Sequence, residues 1–116
     1  MNKVIKDGKV AVLYSPSYGA GWYSWNTDRP EILFNPDIVN LVLEAGELGR
    51  RETRNKVFLD KVENIIKDLY GSESVYTGGA RDLEVCWVAE GEQFEVTEYD
   101  GYETVNIIGE CQYLIA

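Results

Sequence analysis

Histidine is absent from this sequence, and with it go the commonest general base and the commonest metal ligand. Hydrolytic triads of the Ser-His-Asp or Cys-His kind are excluded, as are most zinc sites. Long apolar runs are lacking too, since none approaches the ~20 residues that span a bilayer. The opening residues MNKVIKDGKV carry neither the apolar stretch nor the small-residue cleavage site of a secretory signal. A cytoplasmic location is therefore expected. Positive charge is scarce: 11 basic residues stand against 20 acidic ones, a net charge of −9. That balance repels nucleic acid over most of the surface and disfavours it as a partner. It suits solubility, and it also suits an acidic domain that enters a basic protein groove as a nucleic-acid decoy.

Only two cysteines occur, Cys86 and Cys111. On the strand register derived below they fall three strand spacings apart, roughly 14 Å, beyond disulfide reach. Both are expected as free thiols in a reducing compartment, filling apolar space rather than acting as nucleophiles.

What remains is ordinary globular material: 116 residues, 45% hydrophobic and 27% charged, enough for one core and too little for two. Residues 10–14 are short, β-branched and apolar on both alternating faces, as in a strand covered on two sides. At Asn35-Pro36-Asp37 an N-cap residue, a proline suited to the first helical position and a first-turn acid announce a helix. Ile38, Leu41, Val42 and Ala45 continue it at helical spacing up to Gly46. Phe58, Val62, Ile65, Ile66 and Leu69 lie on one face of a second helix over residues 51–70, ended by Gly71. The last third reads as strands joined at Glu90-Gly91, Asp100-Gly101 and Gly109-Glu110, with Asp-Gly suited to a type I′ turn. In that register Trp87, Phe94, Ile107 and Gln112 form one row, and Val85, Val96, Val105 and Leu114 the next. The expected fold is α+β: an N-terminal strand, two helices, then a four-stranded antiparallel meander with both helices on one face. The opposite face, with Tyr99, Tyr102 and Tyr113, is a candidate homo-oligomer surface.

Chemistry-bearing residues gather in three places. The stretch SPSYGAGWYSWN, residues 15–26, sets Tyr18, Gly19 and Gly21 beside Trp22 and Trp25. Such glycines let a ligand approach the main chain and such indoles stack on a planar ring, although the same residues also suit tight turns packed over a sheet end. Tyr76, Gly78 and Gly79 repeat the theme and form either a second pocket wall or a plain connection. Arg50, Arg51 and Arg54 concentrate positive charge near a helix start, where they either clamp an anion or form a solvated face. Glu98 and Glu103 should oppose one another across the Asp-Gly hairpin. Enclosed, the pair suits acid-base work or a divalent cation; at an exposed tip, where hairpin ends usually project, neither follows.

The segments VAVLYSPSYGAGWYSWN, LFNPDIV, YTGGARDLEVCWV and EVTEYDGYE together resemble a group of small accessory proteins encoded by tailed bacteriophages, with the GAGW run the most distinctive part. The resemblance implies a phage protein acting in the bacterial cytoplasm, where such proteins often blunt host defence. Combined with the residues above, it points to a non-enzymatic module that binds a small anionic nucleotide-like molecule as an immune-signal sponge. The alternative is an acidic inhibitor of a host defence enzyme. A third reading is a carboxylate enzyme using Glu98 and Glu103. No cofactor or metal is expected.

Overall fold

The computed structural model describes residues 3–17, 21–45, 56–71, 75–108 and 114–115. The apolar strand expected from residue 10 is β2, Lys9–Tyr14, and it is the centre of the fold. Before it, β1 (Ile5–Lys6) turns back through Asp7 and Gly8, whose φ values of 54° and 75° are those of a tight hairpin turn. On its other side β2 pairs antiparallel with β3 (Glu84–Ala89), so the first sheet runs β1-β2-β3. Residues 10–13 are all fully buried, as expected of a strand covered on both faces.

The two faces meet different layers. Ala11 and Leu13, opposite Trp87 and Val85 in the β2–β3 ladder, pack with helices α1 (Pro36–Ala45) and α2 (Lys56–Tyr70). Val10 and Val12, opposite Val88 and Cys86, pack instead with Phe94, Val96 and Val105 of a second sheet. That sheet is the hairpin β4 (Gln93–Tyr99) and β5 (Tyr102–Ile108), with two-residue β6 (Leu114–Ile115) added beside β4. Helices, first sheet and second sheet thus form three layers around β2.

The expected single meander is corrected here. The Asp100-Gly101 hairpin holds its register, pairing Phe94 with Ile107, Val96 with Val105 and Glu98 with Glu103, and both turn residues have positive φ. The outer two strands pair elsewhere. Trp87 faces Ala11 rather than Phe94, and Leu114 faces Phe94 rather than lying beside Val105. At Glu90-Gly91 the chain turns, but the Glu90 N–H donates to the Gly8 carbonyl (3.0 Å), extending the first sheet instead of closing a hairpin with β4. The physical reason lies in β2: a strand apolar on both faces needs partners along both edges, and β3 supplies one. The helices accordingly cover the first sheet, while Phe94, Val96 and Val105 of the β4–β5 rows face that sheet's other side and Ile107, expected in the same row as Phe94, is exposed.

The helix signals fared well. The Ile38 N–H donates to Asn35 Oδ1 at 3.0 Å, the N-cap contact that Asn35-Pro36 advertised. In α2, Phe58, Val62 and Ile66 are buried, and Gly71, at φ 62°, ends the helix; Leu69, expected on the same face, is exposed. The apolar residues 32–34 form a 3-10 turn, Pro30–Leu33, and its continuation, with Phe34 edge-on to Phe94 at 6.3 Å. Cys86 is a free, half-buried thiol against the inter-sheet core, and burial pushes its pKa up. Cys111, Gln112, Tyr113 and Gly46 lie outside the described residues. Among the described residues no helix is long and apolar enough to cross a membrane.

Candidate functional site

Strand alternation sends Val105 into the layer between the sheets, and it sends Glu103 inward as well. Glu103 is 0% exposed. A buried carboxylate is costly unless hydrogen-bonded, and here the donors come from the segment after β2. The Ser15 N–H donates to Oε1 at 2.8 Å. Oε2 accepts from the N–H groups of Trp22 (2.9 Å) and Ser24 (2.7 Å). The Glu103 N–H in turn donates to the Ser15 carbonyl at 2.9 Å. Convergent main-chain N–H groups form the kind of concavity that binds anions, and in this protein the anion is its own side chain.

Glu98 and Glu103 do oppose one another in the ladder, yet they share no chemistry. Glu98 is exposed and accepts the Gly101 N–H at 2.7 Å, folding back on the hairpin turn. The exposed-tip expectation therefore holds for Glu98 and fails for Glu103. Among the described residues no cluster of three or more acids or cysteines could hold a metal ion.

The latch decides the fate of the aromatic segment. Trp22 is 0% exposed, its ring among Leu13, Ile32, Ile38 and Leu83 of the helical core. Its Nε1–H donates to the Ile32 carbonyl at 3.0 Å. The stacking role expected for Trp22 is thus corrected: burying a large ring and satisfying its one donor uses the residue in the interior. The main-chain donors expected to meet phosphate near Gly21 are likewise directed at Glu103.

Trp25 behaves otherwise. It sits at the end of a 3-10 turn, Tyr23–Trp25, 44% exposed, with its ring 4.5 Å from that of Tyr76, also 44% exposed, and tilted 36° to it. Among the described residues the two glycine-aromatic segments therefore do meet, as one packed ring pair. Asn26 ties them: its Nδ2 donates to the carbonyls of Trp22 and Tyr76, both at 2.8 Å, and its Oδ1 accepts the Tyr76 N–H at 2.9 Å. The glycines make room for this surface. A Cβ on Gly78 would stand 2.6 Å from the Tyr76 ring, and one on Gly21 would stand 2.7 Å from Trp25 Cδ1. Gly79, buried, accepts the Ser15 hydroxyl through its carbonyl at 3.1 Å.

Tyr18, Gly19, Arg50, Arg51 and Arg54 lie outside the described residues. Asn26, Ser15 and the latching role of Glu103 were missed from sequence; a lone Asn closing an aromatic run was the available hint, because a buried amide needs several partners.

A second feature lies where the ends of the two sheets approach. Tyr14, at the end of β2, is paired with Glu84, at the start of β3, and its hydroxyl donates to Glu84 Oε2 at 3.2 Å. With Pro16, Tyr102, Glu103 and Thr104 they line a cleft of about 400 Å³. Burial, and then the Glu84 carboxylate, push the Tyr14 hydroxyl up to about 12. In comparison with known proteins, the chain matches no family model, no curated protein and no solved structure.

Proposed function

We propose that this protein is a non-enzymatic docking module that binds a basic surface of a partner protein through the exposed Trp25–Tyr76 pair, helped by the chain's net negative charge. One observation carries the reading: Glu103 occupies the Ser15, Trp22 and Ser24 donors and Trp22 enters the core, so among the described residues of the segment Trp25 faces outward, braced against Tyr76. Exposed aromatic side chains held in place before contact are typical anchors of protein interfaces, because little rotamer entropy is lost on binding. A net charge of −9 then steers the module toward cationic partners and away from nucleic acid. The resemblance to tailed-phage accessory proteins extends the reading to an inhibitor of a basic host defence enzyme, working in the bacterial cytoplasm.

A second reading keeps a nucleotide-like ligand. It is favoured by the same exposed rings, on which a base could stack, and it requires Arg50, Arg51 and Arg54 for the phosphate charge.

Affinity capture from bacterial lysate with the wild type and with a Trp25→Ala, Tyr76→Ala double variant separates the two. Docking predicts one dominant basic protein, released by salt and lost in the variant. Equal retention by both proteins would overturn docking through this pair. Calorimetric binding of a nucleotide with no protein captured would favour the second reading.

A further inference from the structure

At the hairpin end of the first sheet two lysines face one another directly, Lys6 of β1 against Lys9 of β2. Like charges so placed repel and weaken the ladder, in a chain that has 20 acids for its 11 bases. Both lysines are exposed, and among the described residues neither side chain makes a hydrogen bond or an ion pair. The Asp7 carboxylate, in the turn between them, is paired with neither. On the same face of the sheet Ala89 stands opposite Lys9 and Trp87 opposite Ala11, so the indole lies diagonally across from Lys9. Ala89 sets only a methyl beside the lysines. A hollow of about 310 Å³ opens there, lined by Lys6, Asp7, Lys9 and the half-buried Trp87. Further along this face the helical core packs against Trp87 and holds the ring in place. Two uncommitted ammoniums at one point attract a multiply charged anion such as phosphate, and an indole fixed beside them offers a plane on which a ring can stack.

We propose that this hollow is a binding site for a flat ring that carries a phosphate, the chemistry of a nucleoside phosphate, with Lys6 and Lys9 on the phosphate and Trp87 against the ring. The bound anion removes the repulsion between the two lysines, so binding and hairpin stability reinforce one another. The chain's net charge of −9 opposes such a ligand only weakly here, because exposed charges more than about 8 Å away are largely screened at physiological salt. The groups that line the hollow are two ammoniums and one carboxylate, a local excess of positive charge. Asp7 supplies an acceptor for the hydroxyl groups of a sugar. The site uses none of the residues that carry the two readings above, so it holds or fails independently of both.

Amide chemical-shift mapping on the intact chain tests it, with adenosine 5′-monophosphate as the probe, adenosine as the ring without the charge, and ribose 5-phosphate as the charge without the ring. Saturable shifts are expected at Lys6, Gly8, Lys9 and Trp87, the indole N–H included, with the monophosphate. Each of the two partial ligands should bind roughly tenfold more weakly or worse. The double variant Lys6→Gln, Lys9→Gln, at exposed positions, should weaken binding of the monophosphate by roughly tenfold or more. Ala89→Glu, also at an exposed position, should weaken it comparably by setting a carboxylate beside Lys9, and it keeps the test valid if the double variant fails to fold. No shifts at these residues, shifts centred on Trp25 and Tyr76 instead, equal binding of adenosine or of ribose 5-phosphate, or undiminished binding by either folded variant would overturn the proposal.

Discussion

The carboxylate of Glu103 accepts the backbone N–H of Trp22 across 81 positions of sequence, and with those of Ser15 and Ser24 it takes up main-chain donors of the segment that looks most like a ligand loop. The surface left over, Trp25 against Tyr76, follows from those contacts.

Replacing Glu103 with Gln keeps the shape and puts an amide among three main-chain donors. At least one N–H loses its acceptor inside the protein, and urea unfolding should report a loss of about 2–4 kcal/mol. Glu98→Gln, on the exposed partner in the same ladder pair, should change stability by less than about 0.5 kcal/mol. Equal effects at the two positions would show that the latch does not bear on folding.

The two tryptophans should separate cleanly by measurement. Trp22→Ala removes a fully buried ring and should cost about 3–5 kcal/mol in denaturant titration. Trp25→Ala should cost about 1 kcal/mol or less while removing partner binding. A double-mutant cycle on Trp25 and Tyr76 should return a coupling of about 0.5–1.5 kcal/mol.

Gly78→Ala tests how the pair is braced. The new methyl would collide with the outer atoms of the Tyr76 ring, 2.6–2.7 Å away, and a side-chain tip can swing aside. Near-ultraviolet circular dichroism should therefore change, while the unfolding free energy moves by about 1 kcal/mol or less. A large loss of stability would mean that the ring cannot move.

Tyr14 should mark the alkaline limit of the fold. Its hydroxyl is raised from 10.0 to about 12, by burial first and Glu84 second, so the native state holds this proton more tightly than the unfolded chain does. The associated stability is fully present below pH 10.0 and is lost as pH climbs from 10.0 towards about 12. Tyrosinate absorbance should show a late-titrating component, to which Tyr23, also pushed up by burial, contributes, and Tyr14→Phe should remove its latest part. Glu84→Gln should lower its midpoint only part of the way, because desolvation is the larger cause.

Local chemistry was the legible part of this chain. Asn35-Pro36 marked the start of α1, Asp100-Gly101 set the β4–β5 register, and the double-sided apolar pattern of residues 10–13 announced a covered strand, each through a rule that acts within a few residues. Asp7-Gly8 carried the same turn signal as Asp100-Gly101 and went unread, because β1 is only two residues long. The pairing of β3 with β2 and of β6 with β4 had no local signature: Trp87 can face Phe94 or Ala11 with equal satisfaction of its own alternation. Glu103 was hidden for the same reason. Its position beside Glu98 was readable, but nothing within the hairpin says that another segment arrives with three donors. Trp22 and Trp25 are alike in sequence, and only that long-range contact distinguishes the buried ring from the exposed one.

The placement of β2 also sets the order in which the protein can be made. Its sheet neighbour β3 begins at residue 84, and the side chain that pins the segment after it comes at 103. A nascent chain therefore carries β2 with β1 on one edge and the other edge unpaired until β3 emerges, and the segment after β2 is pinned only once β5 follows. Contacts of such long sequence separation form late, because the loop between them must close before the contact repays it.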